Sequence, residues 1–426
     1  MSQTTRPNDD FATFLAEMKW RGFFEQCTDE TGLGELLARE TVTAYVGFDP
    51  TADSLHIGSL VPIMGLLHFQ RWGGRPIAIV GGGTAMVGDP SGKTEMRQLI
   101  TVEDIARNLA GIKAQLARFV TFGEGAAGAA TDGLMLNNAD WLAPWKYIDF
   151  LRDVGRHFSV NQMLTRDSVK SRLETGLSFI EFNYMLLQAY DFMVLNRDHG
   201  CRLQMGGNDQ WGNICSGIDL CRRVNRSEVF GLTYPLIMTA TGEKMGKTAA
   251  GAVWLDAGRT SPYDFYQYWI NVDDRDVSRF LRLYTLLPKA EIEALERLEG
   301  ADIREAKRAL AHAVTGQVHG RDEADAAAQA AAALFAGSDD LSNVPSSDVA
   351  AADLAGEGLG LLAVLVDAGL MKSNGEARRM VQQNAVRVNG AVVADPARRL
   401  VPADVQDGRI ALQVGKKRHH HLQVIP

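Results

Sequence analysis

The sequence predicts an α/β protein: a doubly wound parallel sheet first, then a helical region, then a small α+β tail. Three observations carry that reading. Strand, helix and strand follow one another within about 40 residues between Thr41 and Val80, which is the βαβ unit of a parallel sheet. Strand-like and helical segments go on alternating as far as Arg223. After about Thr260, helical patterns run on with no strands between them.

The elements follow in order. Thr41–Phe48 is rich in β-branched and aromatic residues and reads as a buried strand, ended by Pro50. From Gly58 to Trp72 the apolar residues Leu60, Ile63, Met64 and Leu67 recur at helical spacing, until Gly73 and Gly74 stop them. Pro76–Val80 is a second short buried strand. Leu134–Asn137 reads as a strand, Phe179–Leu195 as a long apolar helix, Arg202–Met205 as a strand and Gln210–Arg223 as its helix. This alternation marks a Rossmann-like, doubly wound nucleotide-binding domain. Ser278–Leu287, Ala301–His319 and the alanine-rich Asp322–Phe335 read as helices. Gly337–Asp348 is polar, contains a proline and lacks periodicity, as a linker does. The tail opens with a helix at Leu359–Ala368. Ser373 and Asn374 then cap a second helix through Gln383. A hairpin turns at Asn389–Gly390, and strands at Arg409–Val414 and Leu422–Ile425 finish it. The expected segments are 1–230 for the sheet domain with an N-terminal helix, 231–336 for a loop and helical domain, 337–356 for a linker and 357–426 for the tail.

A chain with 46% apolar and 23% charged residues is an ordinary globular one; disorder, collagen and a disulfide miniprotein are excluded. No window approaches the ~18 consecutive apolar residues of a membrane span: the run Leu359–Val366 stops at Asp367. The first residues lack the apolar core of a signal peptide. Cys27, Cys201, Cys215 and Cys221 form no CxxC pair and do not cluster with histidines. They read as reduced cytosolic thiols, so a cytoplasmic protein without disulfides or a structural metal is expected. Ten Lys or Arg against six Asp or Glu give residues 357–426 a charge of +4, leaving −12 for the rest of a −8 chain. A basic tail on an acidic protein fits a polyanionic partner; chance in a short segment gives the same numbers.

Two short motifs carry chemistry. Phe48-Asp-Pro-Thr-Ala-Asp-Ser-Leu-His-Ile-Gly-Ser59 leaves the carboxyl end of a strand and enters a helix. That crevice is the ligand site of a doubly wound sheet, and the helix start offers free N–H groups to a phosphate. Gly58 lets a nucleotide pack against backbone, and His56 either donates to a phosphate oxygen or is an exposed loop histidine. Thr241-Gly-Glu-Lys-Met-Gly-Lys-Thr248 sets two lysines three apart on a loop that Gly246 leaves free to close; alone, it also reads as a solvated turn. Gly88-Asp-Pro-Ser-Gly-Lys-Thr94 mimics a P-loop, but its spacing is one residue short and Pro90 removes an N–H.

Together, an early His-Ile-Gly and a late Lys-Met-x-Lys resemble the class I aminoacyl-tRNA synthetases. Val42–Ser59, Gly88–Lys93, Phe182–Phe192 and Gln204–Asn213 closely resemble the bacterial tyrosyl-tRNA synthetase family, and the likeness runs in order over essentially the whole chain. It implies a tyrosine pocket of Tyr45, Tyr184, Gln188 and Asp191, completed by Asn138 and Gln210, with Asp89 as a second ammonium partner. Tyr184, Gln188 and Asp191 stand at i, i+4 and i+7, so one helix face carries all three. The resemblance also implies an ATP site of Gly47, Asp49, His56, Gly58, Ser59, Gly207, Asp209 and Lys247. Catalytic contacts fall to Thr51, His56, Lys244, Lys247 and Thr248, with Lys93 and Arg97 on the pyrophosphate. Mg²⁺ is expected with ATP, held mainly by its phosphates. L-tyrosine, tRNA(Tyr) and a second copy of the chain are the implied partners, and no membrane.

Two departures stand out: Ser59 where the family pattern has a second histidine, and Gly246 where the usual loop has serine. The tail resembles a small RNA-binding module shared with a small-subunit ribosomal protein and pseudouridine synthases, which implies phosphate contacts by Lys372, Arg378, Arg379 and Arg387. His419, His420 and His421 alternate faces of a strand and cannot converge on one ion. Two rivals remain: a non-catalytic RNA-binding paralogue, and another nucleotidyltransferase with the same His-Ile-Gly loop. The first predicts loss of Lys244, Lys247 or Asp191, and the second loss of the Tyr184, Gln188, Asp191 stripe and the tail.

Overall fold

The computed structural model describes residues 10–91, 101–123, 129–173, 176–248, 251–336, 345–356, 358–415 and 418–425. The chain divides into two compact units. Residues 1–248, 252–260 and 268–319 form the first; residues 249–251, 261–267 and 320–426 form the second.

The first unit is built on a six-stranded sheet. Its strands are β1 (Gln26–Cys27), β2 (Thr43–Phe48), β3 (Arg75–Val80), β4 (Leu134–Asn137), β5 (Cys201–Gly207) and β6 (Phe230–Tyr234), in the order β1-β6-β5-β2-β3-β4. All pairs are parallel except β1 with β6. From β2 the chain winds outward through β3 and β4 on one side, and through β5 and β6 on the other. The order therefore reverses between β2 and β5, the switch point where open sheets bind ligands. Tyr45 faces Ile77 on one side and Gln204 on the other in that register. The near-continuous apolar strands suit burial on both faces: β3 is fully buried from Pro76 to Val80.

Phe179–His199 is the longest helix. A Ser178/Glu181 capping box starts it and left-handed Gly200 stops it. It is apolar nearly all round, so it packs on several sides at once, and eleven of its residues are buried. A polar face inside such a helix has to be satisfied locally. Trp211–Val224 lies beside it; a Cβ on Gly217 would come 3.0 Å from Phe192 Cδ1, so glycine eases that approach. Toward the end of the unit, Asp274–Tyr284, Lys289–Leu295 and Ile303–His319 are helices. Fully buried Trp269 packs tilted against Tyr284 at 5.0 Å and edge-to-face with Phe280 at 6.0 Å, an arrangement of aromatic rings worth more than its area alone.

The second unit contains a five-stranded sheet in the order Ala391–Val392, Val386–Val388, Arg409–Val414, Arg418–Ile425, Ser346–Ala350. Leu361, Leu365, Val381, Val386, Ile410 and Leu412 are its core. The expected hairpin forms, with φ 49° at Asn389 and 79° at Gly390, as a type I′ turn needs. Ser373 caps the helix Asn374–Gln382 by accepting from Glu376 N–H. One boundary differs. Residues 346–354, expected inside the linker, form a strand parallel to Arg418–Ile425 and a short helix. His420 Nε2 lies 2.9 Å from Ser347 Oγ and ties that strand in. Ser-Ser-Asp carries no apolar pattern, and its partner is a strand more than 70 residues later, so local periodicity had nothing to report. Among the described residues, no helix is long and apolar enough to cross a membrane, and no three His, Cys, Asp or Glu side chains group as metal ligands.

Candidate functional site

A cavity of about 350 Å³ opens at the carboxyl ends of β2 and β5, a volume typical of small-molecule sites. Strand ends and helix faces converge on it. Tyr45, Gly47 and Asp49 come from β2 and the turn after it, Ser59 from the helix entrance, Asp89 from the glycine-rich loop after β3, and Asn138 from the turn after β4. Tyr184, Gln188 and Asp191 come from Phe179–His199, and Gly207, Asp209 and Gln210 from the end of β5 and the turn behind it. Twelve of the residues singled out in the sequence thus share one cavity.

The floor is built around Asp191, which is 3% exposed. Trp141 Nε1 donates to Oδ1 at 2.7 Å and Asn138 Nδ2 to Oδ2 at 3.0 Å. Burial pushes its carboxyl up to about 7, against those two donors. Asn138 is itself fixed: its oxygen accepts from Gly83 N–H at 2.7 Å and its amide donates to Thr84 Oγ1 at 2.9 Å. Tyr45 packs at 5.3 Å on Phe192, and its hydroxyl is buried with no hydrogen-bond partner among the described residues. Buried polar atoms are rarely left so, and here a cavity lies beside the orphan.

The wall is acidic. Asp89 is 8% exposed, accepting from Ser91 N–H at 2.9 Å and Gln210 Nε2 at 2.7 Å. Burial first, then the nearby charge of Asp49, pushes it up to about 6. Carboxylates held at such cost invite a cation or donor to offset them.

The His-Ile-Gly loop and the lysine loop meet beside this cavity. Ile57 N–H donates to Val253 O at 3.0 Å, Leu255 N–H to Leu55 O at 2.8 Å and Val253 N–H to Gly246 O at 3.1 Å. His56 caps the turn Ile57–Ser59, its Nδ1 accepting from Gly58 N–H at 3.0 Å. Gly58 and Gly246 touch. A Cβ on Gly246, at φ 83°, would lie 2.8 Å from Gly58 N; one on Gly58 would lie 2.8 Å from His56 Cε1 and 3.1 Å from Met245 O. A side chain at either glycine would therefore crowd the two loops apart.

Thr51, His56, Gly58 and Lys244 do not line the cavity itself; His56 and Gly58 lie in the loop contact next to it. Of Lys247 and Thr248 only the backbone is described, as the short strand Lys247–Thr248. Lys93 and Arg97 lie outside the described residues. In the second unit Lys372, Arg378 and Arg387 are exposed, and Arg379 stands beside Arg378 on the helix Asn374–Gln382. Sequence reasoning missed Trp141, Thr84 and Asn213. Trp141 and Thr84 each sit just past the carboxyl end of a sheet strand, where that position itself is the signal. Asn213 closes the stretch Gln204–Asn213.

The family model for tRNA synthetases class I (W and Y) matches residues 37–336, and that for the tyrosine–tRNA ligase SYY-like C-terminal domain matches residues 340–422. The tyrosine–tRNA ligase of Rhodospirillum rubrum is 54% identical over 415 residues, covering 97% of this chain and 98% of its own. This chain belongs to the tyrosyl-tRNA synthetase family. The tyrosine–tRNA ligase of Brucella abortus is 54% identical over 409 residues, covering 95% of this chain and 97% of its own. A solved, C-terminally truncated mitochondrial tyrosyl-tRNA synthetase from Aspergillus nidulans superposes with a TM-score of 0.68 at 31% identity, covering 77% of this chain and 95% of that one. Within this family the Rossmann-like sheet described above is the shared frame, and the cavity lies at its switch point.

Proposed function

We propose that the chain is a tyrosine–tRNA ligase: it joins L-tyrosine to ATP as tyrosyl-AMP, then passes the tyrosyl group to the terminal ribose of tRNA(Tyr). The observation that carries this is the cavity floor, where a carboxylate already held by two donors stands with an unpartnered tyrosine hydroxyl. A phenol fits it, donating to Asp191 and accepting from Tyr45. Phenylalanine would leave the Tyr45 hydroxyl unpaired and the Asp191 carboxylate short of one donor. The penalty is about 10⁵ in selectivity, a figure established on tyrosyl-tRNA synthetases themselves and not obtained from this geometry. Pyrophosphate exchange into ATP should therefore run with tyrosine and not with phenylalanine; equal rates would remove the assignment.

In the first step a tyrosine carboxylate oxygen bonds to the α-phosphorus, and the bond to the bridging oxygen of pyrophosphate breaks. The nucleophile is already ionised, so no base is needed; stabilising charge on the phosphates is the whole task. Asp89, Tyr184 and Gln188 hold the ammonium. His56, Lys244, Lys247, Thr248 and Thr51 serve the phosphates, joined by Lys93 and Arg97, and Gly207 and Asp209 hold the ribose. Mg²⁺ arrives as part of the ATP substrate. In the second step a ribose hydroxyl attacks the carbonyl carbon and AMP leaves.

The tail binds tRNA through Lys372, Arg378, Arg379 and Arg387. The enzyme works as a homodimer in the cytoplasm. Exposed Tyr147, Ile148, Val160, Leu173, Phe179 and Ile180 fall within a short stretch of one unit and supply an apolar surface for a second copy.

Ser59 lines the cavity where a second histidine is usual. Ser59→His should shift the ATP KM severalfold with the tyrosine KM unchanged, and no shift would mean that the site is built around serine. The raised carboxyls give a pH prediction. Asp89 near 6 and Asp191 near 7 sit above the usual 3.8 of an aspartate. Their protonated forms therefore favour the ligand-free fold at low pH, and that advantage is lost as pH rises through 6 to 7. An ammonium at Asp89 reverses the preference and expels the proton. Tyrosine affinity should fall up to about tenfold per pH unit below 6, with proton release on binding. Calorimetry in buffers of different ionisation enthalpy reads this directly; pH-independent binding from 5 to 8 would exclude Asp89 as the ammonium partner.

A further inference from the structure

Asn213 does not line the cavity, yet it touches three residues that do. It is 4% exposed, on the first turn of Trp211–Val224 and three residues after Gln210. Its Nδ2 lies 3.0 Å from Gln188 Oε1, 3.3 Å from Gln210 Oε1 and 3.4 Å from Ser91 Oγ. An amide nitrogen has two hydrogens, and the two glutamine oxygens are the nearer acceptors.

The direction of every bond in this group follows from one end. An ionised carboxylate only accepts, so Gln210 must turn its Nε2 to Asp89, at 2.7 Å. That leaves Gln210 Oε1 facing Asn213, which must answer with N–H. The same amide then meets the oxygen of Gln188. Rotating the Gln188 amide to exchange its oxygen and nitrogen would set N–H against N–H in a partly buried cluster, an unfavourable arrangement. A carbonyl oxygen has two lone pairs, so Gln188 Oε1 keeps one for a ligand.

We infer that Asn213 is a positioning residue: it carries the polarity set by Asp89 through Gln210 to Gln188, and so locks the Gln188 carbonyl oxygen as an acceptor for the substrate ammonium. The inference rests on the proposed assignment of Gln188 to that ammonium. Gly217, one turn along the same helix, sets the close approach to Phe179–His199 that brings Asn213 to Gln188.

The test uses the full chain with Asn213→Leu, similar in volume but without a donor. Dissociation constants are measured for L-tyrosine and for 3-(4-hydroxyphenyl)propionate, which keeps the phenol and carboxylate and lacks the ammonium. Tyrosine should weaken about tenfold or more, while the analogue and the ATP KM move less than about twofold. Equal weakening of both ligands, or of neither, overturns the proposal. In a Gln188→Ala background the same substitution should cost tyrosine less than a further ~2-fold, and full additivity also overturns it. Should the leucine variant fail to fold, Asn213→Ser keeps one hydroxyl donor and should give a smaller loss, still confined to tyrosine; a loss shared with the analogue counts against the inference. Absence of tyrosine-dependent exchange in the unaltered protein defeats the proposed activity; exchange with an unmoved tyrosine-to-analogue ratio in the variant defeats only the role of Asn213.

Discussion

Asp191→Asn should cut tyrosine-dependent pyrophosphate exchange by about 10³-fold and erase most of the preference over phenylalanine, because the floor of the cavity is written for an acceptor on both sides. Trp141 and Asn138 each donate to one carboxylate oxygen. Asparagine has a single oxygen, so its amide must face one of those donors. Losing a charge-assisted bond to the phenol costs about 1.5–3 kcal/mol, and the opposed donors about 1–3 kcal/mol more. The opposed donors also destabilise the fold, but only in part, since burial already pushes the Asp191 carboxyl up to about 7 and a neutral group is easier to bury. Exchange assays with both amino acids and a thermal melt separate the effects. A variant that keeps a tenth of its exchange rate and its selectivity would refute the pocket.

A chain ending at Ala336 should activate tyrosine at the normal rate yet charge tRNA at least ~100-fold more slowly, as expected when several phosphate contacts vanish together. The cut has to fall there. Ser346–Ala350 pairs with Arg418–Ile425, so a cut after Asp353 would strand one member of the tail sheet on the truncated product and leave its edge bare. The C-terminal family match begins at residue 340 and agrees with this boundary. Aminoacylation at two salt concentrations is the measurement, and charging that survives truncation would remove the tail from tRNA binding.

Much of the sheet was legible because its strands are buried on both faces and flanked by glycine and proline. Leu134–Asn137 and Arg409–Val414 match the expected bounds to the residue. What escaped was set by distant partners. β1 is two residues long and exists only because Thr233 and Leu232 offer an edge to Gln26 and Cys27. Pro262–Ile270 and Lys289–Leu295 are short helices of nine and seven residues, too brief for their period to stand out. In the site, Asp191, Tyr184 and Gln188 showed as a polar stripe on an apolar helix. Trp141 and Asn213 did not, because their role is to hold other polar groups, and nothing in a side chain's own spacing reveals what it holds. The two rivals fare differently from the ligase reading: the stripe and the tail are both present, and relatives that match end to end are tyrosine–tRNA ligases.

The touching glycines of the His-Ile-Gly and lysine loops also bear on how the protein is made. Gly58 and Gly246 come together across roughly 190 residues of intervening chain, the kind of long-range closure that forms slowly. On the proposed reading, a nascent chain emerging from the ribosome therefore carries half of its phosphate grip while those residues are made, and a half grip binds weakly. On that reading, competence for ATP has to wait until β6 has been made and the second loop has followed it out.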